Sequence, residues 1–316
     1  MKKFRLILLF LLLAAEVVVA QFRGGRGGGR GFGGWGRNSG PMIRTEGGEW
    51  VDERTVKTAR EIASHSTGTP NWTNDPAFSH DVFTFVRIIR DRDPYGSPSA
   101  GNWITDFPDS DLNFSYRIQQ VTAMKVDPDG RTIRLTDPAL YDYPWIYTVE
   151  PGALLLRDEE VPILRKYLLN GGFFMADDFW GEWQWEGFYK QIKRVFPDRE
   201  FVELPMDHPI FHCVFDLNVP KNKLQTPNIR QGIRSEYDGV TWENHPRQDG
   251  SYEACKDMHV RAMFDDKGRI MVIATHNCDM GDSWEREGES DYFFHQFSEK
   301  RGYPLGINII FYAMTH

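Results

Sequence analysis

Polar segments follow several apolar segments of the chain, and their side chains are of the types that carry acid–base and metal chemistry. Asp177 and Asp178 follow one apolar run, His208 follows a later one, and His276 follows a third. A carboxylate and two imidazoles at neighbouring strand ends can bind a divalent ion or act as acid and base on a bound water. The same groups serve as helix caps and loop ties. No compact metal motif such as H-E-x-x-H decides between these interpretations.

The same segments contain a second set of candidate residues, which are predicted to bind a ligand: Glu150, Trp180, Asn277, Asp279, Asp282 and Trp284. The two aspartates flank Gly281, but their order does not match a calcium loop. The tryptophan rings suit either a sugar-binding cleft or core packing. A divalent metal is therefore compatible with the sequence, but no motif specifies a cofactor. Because successive side chains of a strand point to opposite faces, one of Asp177 and Asp178 at most faces a cleft.

Several catalytic motifs are absent from the sequence. Acyl-transfer hydrolases of α/β type hold their nucleophile in a G-x-S-x-G or G-x-C-x-G elbow, and the chain contains neither. It also has no phosphate-binding G-x-x-x-x-G-K-[ST] loop and no G-x-G-x-x-G between a strand and a helix. The three cysteines allow one disulfide at most, with one thiol left over: Cys213, Cys255 and Cys278.

Apolar periodicity predicts the elements that position these residues. Alternating or β-branched runs predict strands over 82–89, 132–135, 145–149, 173–176, 201–204 and 269–274. Helical spacing predicts helices over 51–63, 109–126, 158–169, 185–196 and 306–312. Strands that alternate with helices favour βαβ units and a mostly parallel sheet covered on both faces. In such a sheet, ligands bind outside the carboxyl ends of the strands, where the candidate residues lie.

The first 40 residues differ from the rest of the chain. Residues 1–20 have a basic start, an apolar run and small residues before a cleavage site after Ala20, which predicts a signal peptide and an exported, periplasmic or extracellular protein. The alternative is an uncleaved anchor, but Glu16 leaves the apolar run shorter than the roughly 20 residues of a span. Residues 21–40 are rich in Gly and Arg, which predicts a disordered arm. Such an arm acts as a tether or contacts an anionic envelope surface.

The remaining chain divides into a lead-in segment, residues 41–80, and one α/β domain, residues 81–316. The formal net charge of −8 is unevenly distributed, because the first 40 residues hold seven Lys or Arg and one Glu. Residues 41–316 hold 30 basic and 44 acidic residues and carry a charge of −14. A body this acidic repels phosphate backbones, so we expect no nucleic-acid partner.

Several stretches together resemble an exported or membrane-attached bacterial family known as a domain of unknown function, within the class I glutamine amidotransferase-like fold. They are 140–144, 147–152, 171–181, 207–211, His276-Asn277 and Gly281-Asp282. The resemblance implies a flavodoxin-like three-layer α/β/α sandwich. His208-Pro209-Ile210 is also similar to a stretch of trehalose-utilisation-like proteins, which implies a carbohydrate link. Where amidotransferases carry their catalytic cysteine, this chain has Asp177-Asp178, so the resemblance transfers no catalytic residue.

Two hypotheses about function follow. The first is a non-catalytic ligand-binding or envelope-assembly protein that kept the fold without the nucleophile, with an envelope protein or a glycan as partner. The second is an envelope hydrolase of a glycan or glycoside-like substrate, with Asp177 or Asp178, His208 and His276 around a water or metal. The second hypothesis requires these side chains to converge in one cleft.

Overall fold

The computed structural model describes residues 42–78, 81–99 and 101–316. The predicted signal peptide and Gly/Arg-rich arm lie outside the described residues. The helices of the described part lack the length and apolar composition of a membrane span.

In the described residues, seven strands form the central sheet: β3 (Val86–Ile88), β5 (Arg131–Ile133), β6 (Trp145–Val149), β8 (Phe173–Phe179), β9 (Val202–Glu203), β12 (His259–Phe264) and β13 (Ile270–His276). Their spatial order is β5-β3-β6-β8-β13-β12-β9. The first five strands pair in parallel, and β12 pairs antiparallel with both β13 and β9. The sheet is therefore mostly parallel, as the sequence predicts.

Three small sheets lie outside it: β1 (Met42–Arg44) with β2 (Trp50–Asp52), β4 (Asp91–Arg92) with β7 (Leu154–Leu155), and β10 (Asn244–Pro246) with β11 (Tyr252–Ala254). The α-helices are α1 (Asp109–Val121), α2 (Glu160–Leu169), α3 (Gly181–Val195), α4 (Ile229–Asp238), α5 (Met280–Glu285), α6 (Asp291–Phe293) and α7 (Tyr303–Thr315). A π-helical segment, Phe294–Gly302, joins the last two. Single 3₁₀ turns cover Ala59–Glu61, Pro76–Phe78, Pro138–Asp142, Pro151–Ala153, Pro209–Phe211 and Lys221–Lys223.

The sheet carries a core on each face, because the side chains of its buried strands alternate. In β8, Phe173 and Met175 pack into the cluster that contains residues of α1 and α7. Phe174 and Ala176 point the other way, into a cluster formed with α2 and α3. Strands that bury both faces read as nearly continuous apolar runs, and all seven positions of β8 are buried, with Asp177 and Asp178 near its carboxyl end. Helices therefore cover both faces of the sheet.

The predicted elements agree best with the structure where both faces of the sheet are apolar. The strand predicted over 145–149 coincides with β6, and the helices predicted at 109 and 158 form as α1 and α2. The helix predicted over 51–63 is wrong: this segment contains β2 and one 3₁₀ turn. Strand β12 and helix α4 were not predicted. The lead-in side chains of Val56, Ala59 and Ile62 pack in a third cluster with Trp103, Phe107 and other residues of the domain.

Candidate functional site

An acidic cavity of about 240 Å³ lies at the carboxyl edge of the parallel strands. Seven of its lining residues are acidic: Glu46, Asp106, Glu150, Asp178, Glu243, Asp279 and Asp282. The other lining residues are Ser99, Thr105, Trp180, Gln184, Asn228 and His245. Among the described residues that line it, none is a lysine or an arginine. We call this cavity the acidic pocket.

An irregularity in β8 turns Asp178 into the acidic pocket. Between Ala176 and Phe179 the strand has one more residue than its partner β13, and Asp178 has φ 56°. Such a bulge re-aims side chains, and the left-handed conformation is uncommon for a residue other than glycine. The Asp178 carboxylate accepts a hydrogen bond from the Trp180 indole N–H (3.2 Å). Strained backbone of this kind occurs at binding and catalytic sites more often than elsewhere.

The neighbouring Asp177 points away from the acidic pocket and holds helix α5. Its carboxylate accepts hydrogen bonds from the Thr275 hydroxyl (2.5 Å) and from the backbone N–H groups of Met280 (3.0 Å) and Gly281 (3.1 Å). Burial raises the pKa of Asp177 to about 7, although these donors favour its charged form. Asp177 is therefore a structural residue, and Asp178 alone of the pair reaches the pocket.

Asp106 reaches the acidic pocket from the loop between β4 and α1. Arg87 of β3 positions this loop: its guanidinium, paired with Asp111, donates to the carbonyl oxygens of Trp103 (3.1 Å) and Thr105 (2.9 Å). Asp106 has φ 63° and is 2% exposed. Its buried Oδ2 atom has no hydrogen-bond partner among the described residues. Native proteins satisfy nearly all buried polar atoms, so this oxygen is available to bind a ligand.

Glu150 lies directly after β6, also with a left-handed backbone, φ 44°. Arg90 donates to the carbonyl oxygens of Val149 (3.0 Å) and Glu150 (2.7 Å) and so holds this turn. The Glu150 carboxylate accepts a hydrogen bond from the Thr105 hydroxyl (2.6 Å). Burial raises the pKa of Glu150 to about 7.

The segment after β13 contributes Asp279 and Asp282. Asp279 caps helix α5 by accepting from the Asp282 N–H (2.8 Å), and Asp282 accepts from the Ile229 N–H (2.6 Å). Asn277, with φ 59°, lies outside the lining: its side chain accepts from the Gly181 N–H and donates to the Asp257 carbonyl, both at 2.8 Å. It ties the start of α3 to the edge of the sheet.

The carboxyl groups of the acidic pocket are held at a high electrostatic cost. Burial, and after it the charge of Glu150, raises the pKa of Asp178 well above its usual range. Burial and the nearby charge of Glu285 act on Asp106 in the same way, and burial and Asp178 act on Asp279. The pKa of Asp282 rises to about 6, mainly through burial. A bound cation would offset this repulsion.

Three of these carboxylates are arranged to share one ion. Asp106, Asp178 and Asp279 each offer an oxygen, and these three oxygens lie within 4.8 Å of one another. Carboxylate oxygens about 2.3 Å from a central ion have this spacing, and an all-oxygen set suits Mg²⁺, Ca²⁺ or Mn²⁺. The residues present therefore fit a hard divalent cation.

The structure does not bring the two candidate histidines to this site. The His208 ring accepts from the Ile210 N–H (3.2 Å) and lies beside Tyr312. The His276 ring donates a hydrogen bond from Nε2 to the Gly181 carbonyl (3.1 Å), and burial lowers the pKa of His276 well below the usual value. Neither lines the acidic pocket. The convergence of both histidines with Asp177 or Asp178, which the hydrolase hypothesis requires, is absent.

The two candidate tryptophans lie in different places. Trp284 is fully buried in the core, where it stacks on Phe114 with ring centroids 4.2 Å apart. Trp180 lines the acidic pocket and stacks on His245, with centroids 5.9 Å apart. The cysteines, all within the described residues, are free thiols.

Eight lining residues were not predicted: Glu46, Ser99, Thr105, Asp106, Gln184, Asn228, Glu243 and His245. Most of them come from loops and from the lead-in segment, which carry no periodic signal, whereas Gln184 lies in the first turn of α3 and His245 in the short strand β10. The sequence does place Asp106 in the connection after the first predicted strand, at the same sheet edge as Glu150 and Asp178. That position was the available signal for Asp106.

Fold and site together define an α/β protein with an acidic pocket at the carboxyl edge of a mostly parallel sheet. The chain belongs to the family of the domain of unknown function DUF4159, whose sequence profile matches residues 85–314. This match confirms the assignment to a domain-of-unknown-function family. A comparison with curated proteins gave no match.

Proposed function

We propose that this protein binds a divalent cation of the hard, oxygen-preferring class in the acidic pocket, and that the cation holds a ligand there. The observation that carries the proposal is the buried Asp106 side chain: its Oδ2 atom has no hydrogen-bond partner among the described residues, and a carboxylate oxygen of Asp106 lies within 4.8 Å of oxygens of Asp178 and Asp279. The cavity has room for the ion and for part of a ligand. This develops the ligand-binding hypothesis, with the cation as the recognition element.

The charge of the acidic pocket limits the class of ligand. One divalent ion offsets two of the seven lining carboxylates, so the pocket stays electronegative. A phosphate or carboxylate ligand is repelled by such a field, whereas hydroxyl groups coordinate a hard ion without added charge. Uncharged polyhydroxyl groups, as in a glycan, are the ligand chemistry that this pocket favours.

Thermal unfolding of the chelator-treated full chain tests the proposal. At a cation concentration of 100 times Kd, binding to the folded state adds about 2.7 kcal/mol. For a domain of this size, that raises Tm by roughly 5–10 °C. We expect such a rise with at least one of Mg²⁺, Ca²⁺ and Mn²⁺. No rise with any of the three ions would contradict the proposal.

The variant Asp279→Asn and its control sharpen this test. The asparagine keeps an oxygen to accept from the Asp282 N–H, so helix α5 stays capped while one ligand charge is lost. We expect the cation-induced rise in Tm to shrink or disappear. The matched control is Asp198→Asn, which neutralises an exposed aspartate that faces Arg165 at 3.8 Å. Its response to cations should equal that of the wild type.

The raised pKa of Glu150 supports a second candidate function, that of a cation-assisted hydrolase acting on a glycoside-like substrate. A carboxyl group with a pKa of about 7 exchanges protons near neutral pH, as general acids and bases do. A panel of 4-nitrophenyl glycosides tests it: hydrolysis should require the cation and should fall in Glu150→Gln while cation affinity is retained. Absence of hydrolysis across the panel contradicts the glycosidase function and leaves cation binding unaffected.

We further propose that the fold is flavodoxin-like and of the glutamine amidotransferase-like class. Counted along the chain among the five parallel strands, the spatial order is 2-1-3-4-5, which is the flavodoxin-like order. Asp178 occupies the junction of β8 and α3, where the resemblance expects the catalytic cysteine.

We also propose that residues 1–20 are a signal peptide that is cleaved on export. An envelope glycan or an envelope protein is the proposed partner of the exported chain. N-terminal sequencing of the mature protein should begin at Gln21.

A further inference from the structure

We infer that the site holds two divalent cations, with Asp106 shared between them. This inference rests on the proposed function, since it adds a second ion behind the one at Asp106, Asp178 and Asp279. The second ion is bound by Asp106, Asp282 and Glu285. The oxygens that these three residues offer also lie within 4.8 Å of one another, and all three residues are buried.

Asp106 carries the inference because it belongs to both triads. Within the described part of the chain, its buried Oδ2 atom has no hydrogen-bond partner, and the residue is 2% exposed. The loop that Arg87 positions therefore holds the Asp106 side chain in place. Hydrogen bonds from other described residues to the Asp106 carboxylate do not contribute. A carboxylate with two oxygens between two ions is the bridging arrangement of two-metal sites, in which the ions lie about 3.5–4 Å apart.

The charge of the cluster agrees with a second ion. The seven lining carboxylates and Glu285 make eight acidic groups. Two arginines offset part of their charge: Arg90 acts on Glu150, and Arg286 on Glu46 and Glu285. Arg87 also acts on Asp106, but its charge is already paired with Asp111. Arg90, Arg286 and one divalent ion together offset four of the eight charges. A second divalent ion raises the number of offset charges to six. Buried charges without compensation are strongly unfavourable, so the cluster has a deficit that a second ion reduces.

Arg286 leaves part of the second triad available. Its Nε atom is 2.6 Å from Glu285 Oε2, and its distance to Asp282 Oδ1 is 3.9 Å.

His65 contacts the other oxygen of Glu285 through Nε2, and its Nδ1 lies 3.0 Å from Asp109 Oδ2. A histidine between two carboxylates has a fixed ring orientation, and groups of this kind orient metal ligands. His65 is therefore a positioning residue for Glu285.

Manganese titration of the full chain tests the inference. Chelator-treated protein is equilibrated with Mn²⁺, bound metal is counted by elemental analysis, and the spin state is measured by electron paramagnetic resonance. We expect two Mn²⁺ per chain and the spectrum of an exchange-coupled pair, because Asp106 bridges the ions. In Glu285→Gln we expect one Mn²⁺ with the hyperfine pattern of an isolated ion.

Three outcomes overturn the inference, and they differ in what they say about the first site. One Mn²⁺ in the wild type removes the second ion and leaves the proposed function intact. No bound Mn²⁺ removes both. Two uncoupled Mn²⁺ ions remove the bridging role of Asp106. If Glu285→Gln does not fold, Asp282→Asn replaces it, since the asparagine oxygen can still accept from the Ile229 N–H. Glu299→Gln, at an exposed glutamate that pairs with His295, is the control that should bind as the wild type does.

Discussion

Asp177 and Asp178 are adjacent, but their carboxylates have opposite surroundings. The Asp177 carboxylate accepts hydrogen bonds from two hydroxyls and two backbone N–H groups. Asp178 faces other acids across the acidic pocket and receives one indole N–H. Asp177 therefore ties β8 to helix α5 through hydrogen bonds, whereas the carboxylate of Asp178 is repelled by its neighbours. Binding sites commonly carry this kind of local cost.

Replacing Asp177 or Asp178 singly with asparagine should change the stability of the cation-free protein in opposite directions. Asp178→Asn removes a buried charge that is repelled by Glu150 and Asp106, and it keeps an acceptor for Trp180. We expect the cation-free variant to be more stable than the wild type by about 1–3 kcal/mol at pH 8, with a reduced response to cations. Chemical denaturation with and without Mg²⁺ or Ca²⁺ measures both effects.

Asp177→Asn is the matched neighbour. Asparagine offers one acceptor oxygen where the carboxylate offers two, so at least one of the buried donors loses its acceptor. We expect a loss of about 1–3 kcal/mol, while the folded variant still responds to cations. Equal changes in stability for the two variants would refute the separation of roles.

At the scale of elements, the carboxyl edge of the sheet determines the site. Strands β6 and β8 and the segment after β13 each present an acidic residue there, and the loop before α1 adds Asp106. Helix α5 closes the arrangement, because Gly281 in its first turn lies against the Asp106 carboxylate. A Cβ atom at position 281 would overlap Asp106 Oδ2. The absence of a side chain at this position lets the helix approach the loop.

Gly281→Ala tests this close approach. Alanine favours the helical conformation more than glycine by about 1 kcal/mol, so α5 itself is not weakened. The added methyl group must displace the Asp106 carboxylate, and we expect cation affinity to fall by a factor of about 10 or more, which corresponds to roughly 1.4 kcal/mol. Isothermal titration calorimetry with Mn²⁺ or Ca²⁺ measures the change. Unchanged affinity would show that Asp106 is not a ligand.

At the scale of the whole molecule, the buried carboxyl groups link stability to pH. The pKa values of Asp282, Glu150 and Asp177 are raised to about 6, 7 and 7. The folded chain therefore binds protons more readily than the unfolded chain between the ordinary carboxyl pKa and these values. Because of these three carboxyl groups, the free energy of unfolding falls as the pH rises through this range. His276 opposes it below about pH 6.5, because burial lowers its pKa and the unfolded chain then binds the proton.

The window from pH 6.5 to 8 separates these effects. We expect Tm of the cation-free protein to fall as pH rises across this window. With a saturating cation the fall should vanish or reverse, because the ligand carboxylates must be deprotonated and cation affinity therefore rises with pH. Differential scanning calorimetry at several pH values measures both series. Parallel curves with and without the cation would argue against a shared site for protons and metal.

The sequence alone determined the α/β class, the mostly parallel sheet and the edge at which chemistry can occur. These follow from apolar periodicity, which is local along the chain, and from the rule that parallel strands share one carboxyl edge. Strand 145–149 and the acids at 150, 178, 279 and 282 were predicted on this basis. The same reasoning gave His208, His276 and Trp284, whose side chains lie elsewhere.

Only the tertiary structure decided which of these side chains meet. Side-chain direction at a strand end depends on non-local features: the bulge of β8 turns Asp178 inward, and left-handed turns set Asp106 and Glu150. Glu46 and Glu243 come from segments far apart in the chain and become neighbours only through packing. The composition recorded an acidic protein, but folding concentrates seven carboxylates around one cavity. That concentration of like charge is the physical reason to expect a cation there.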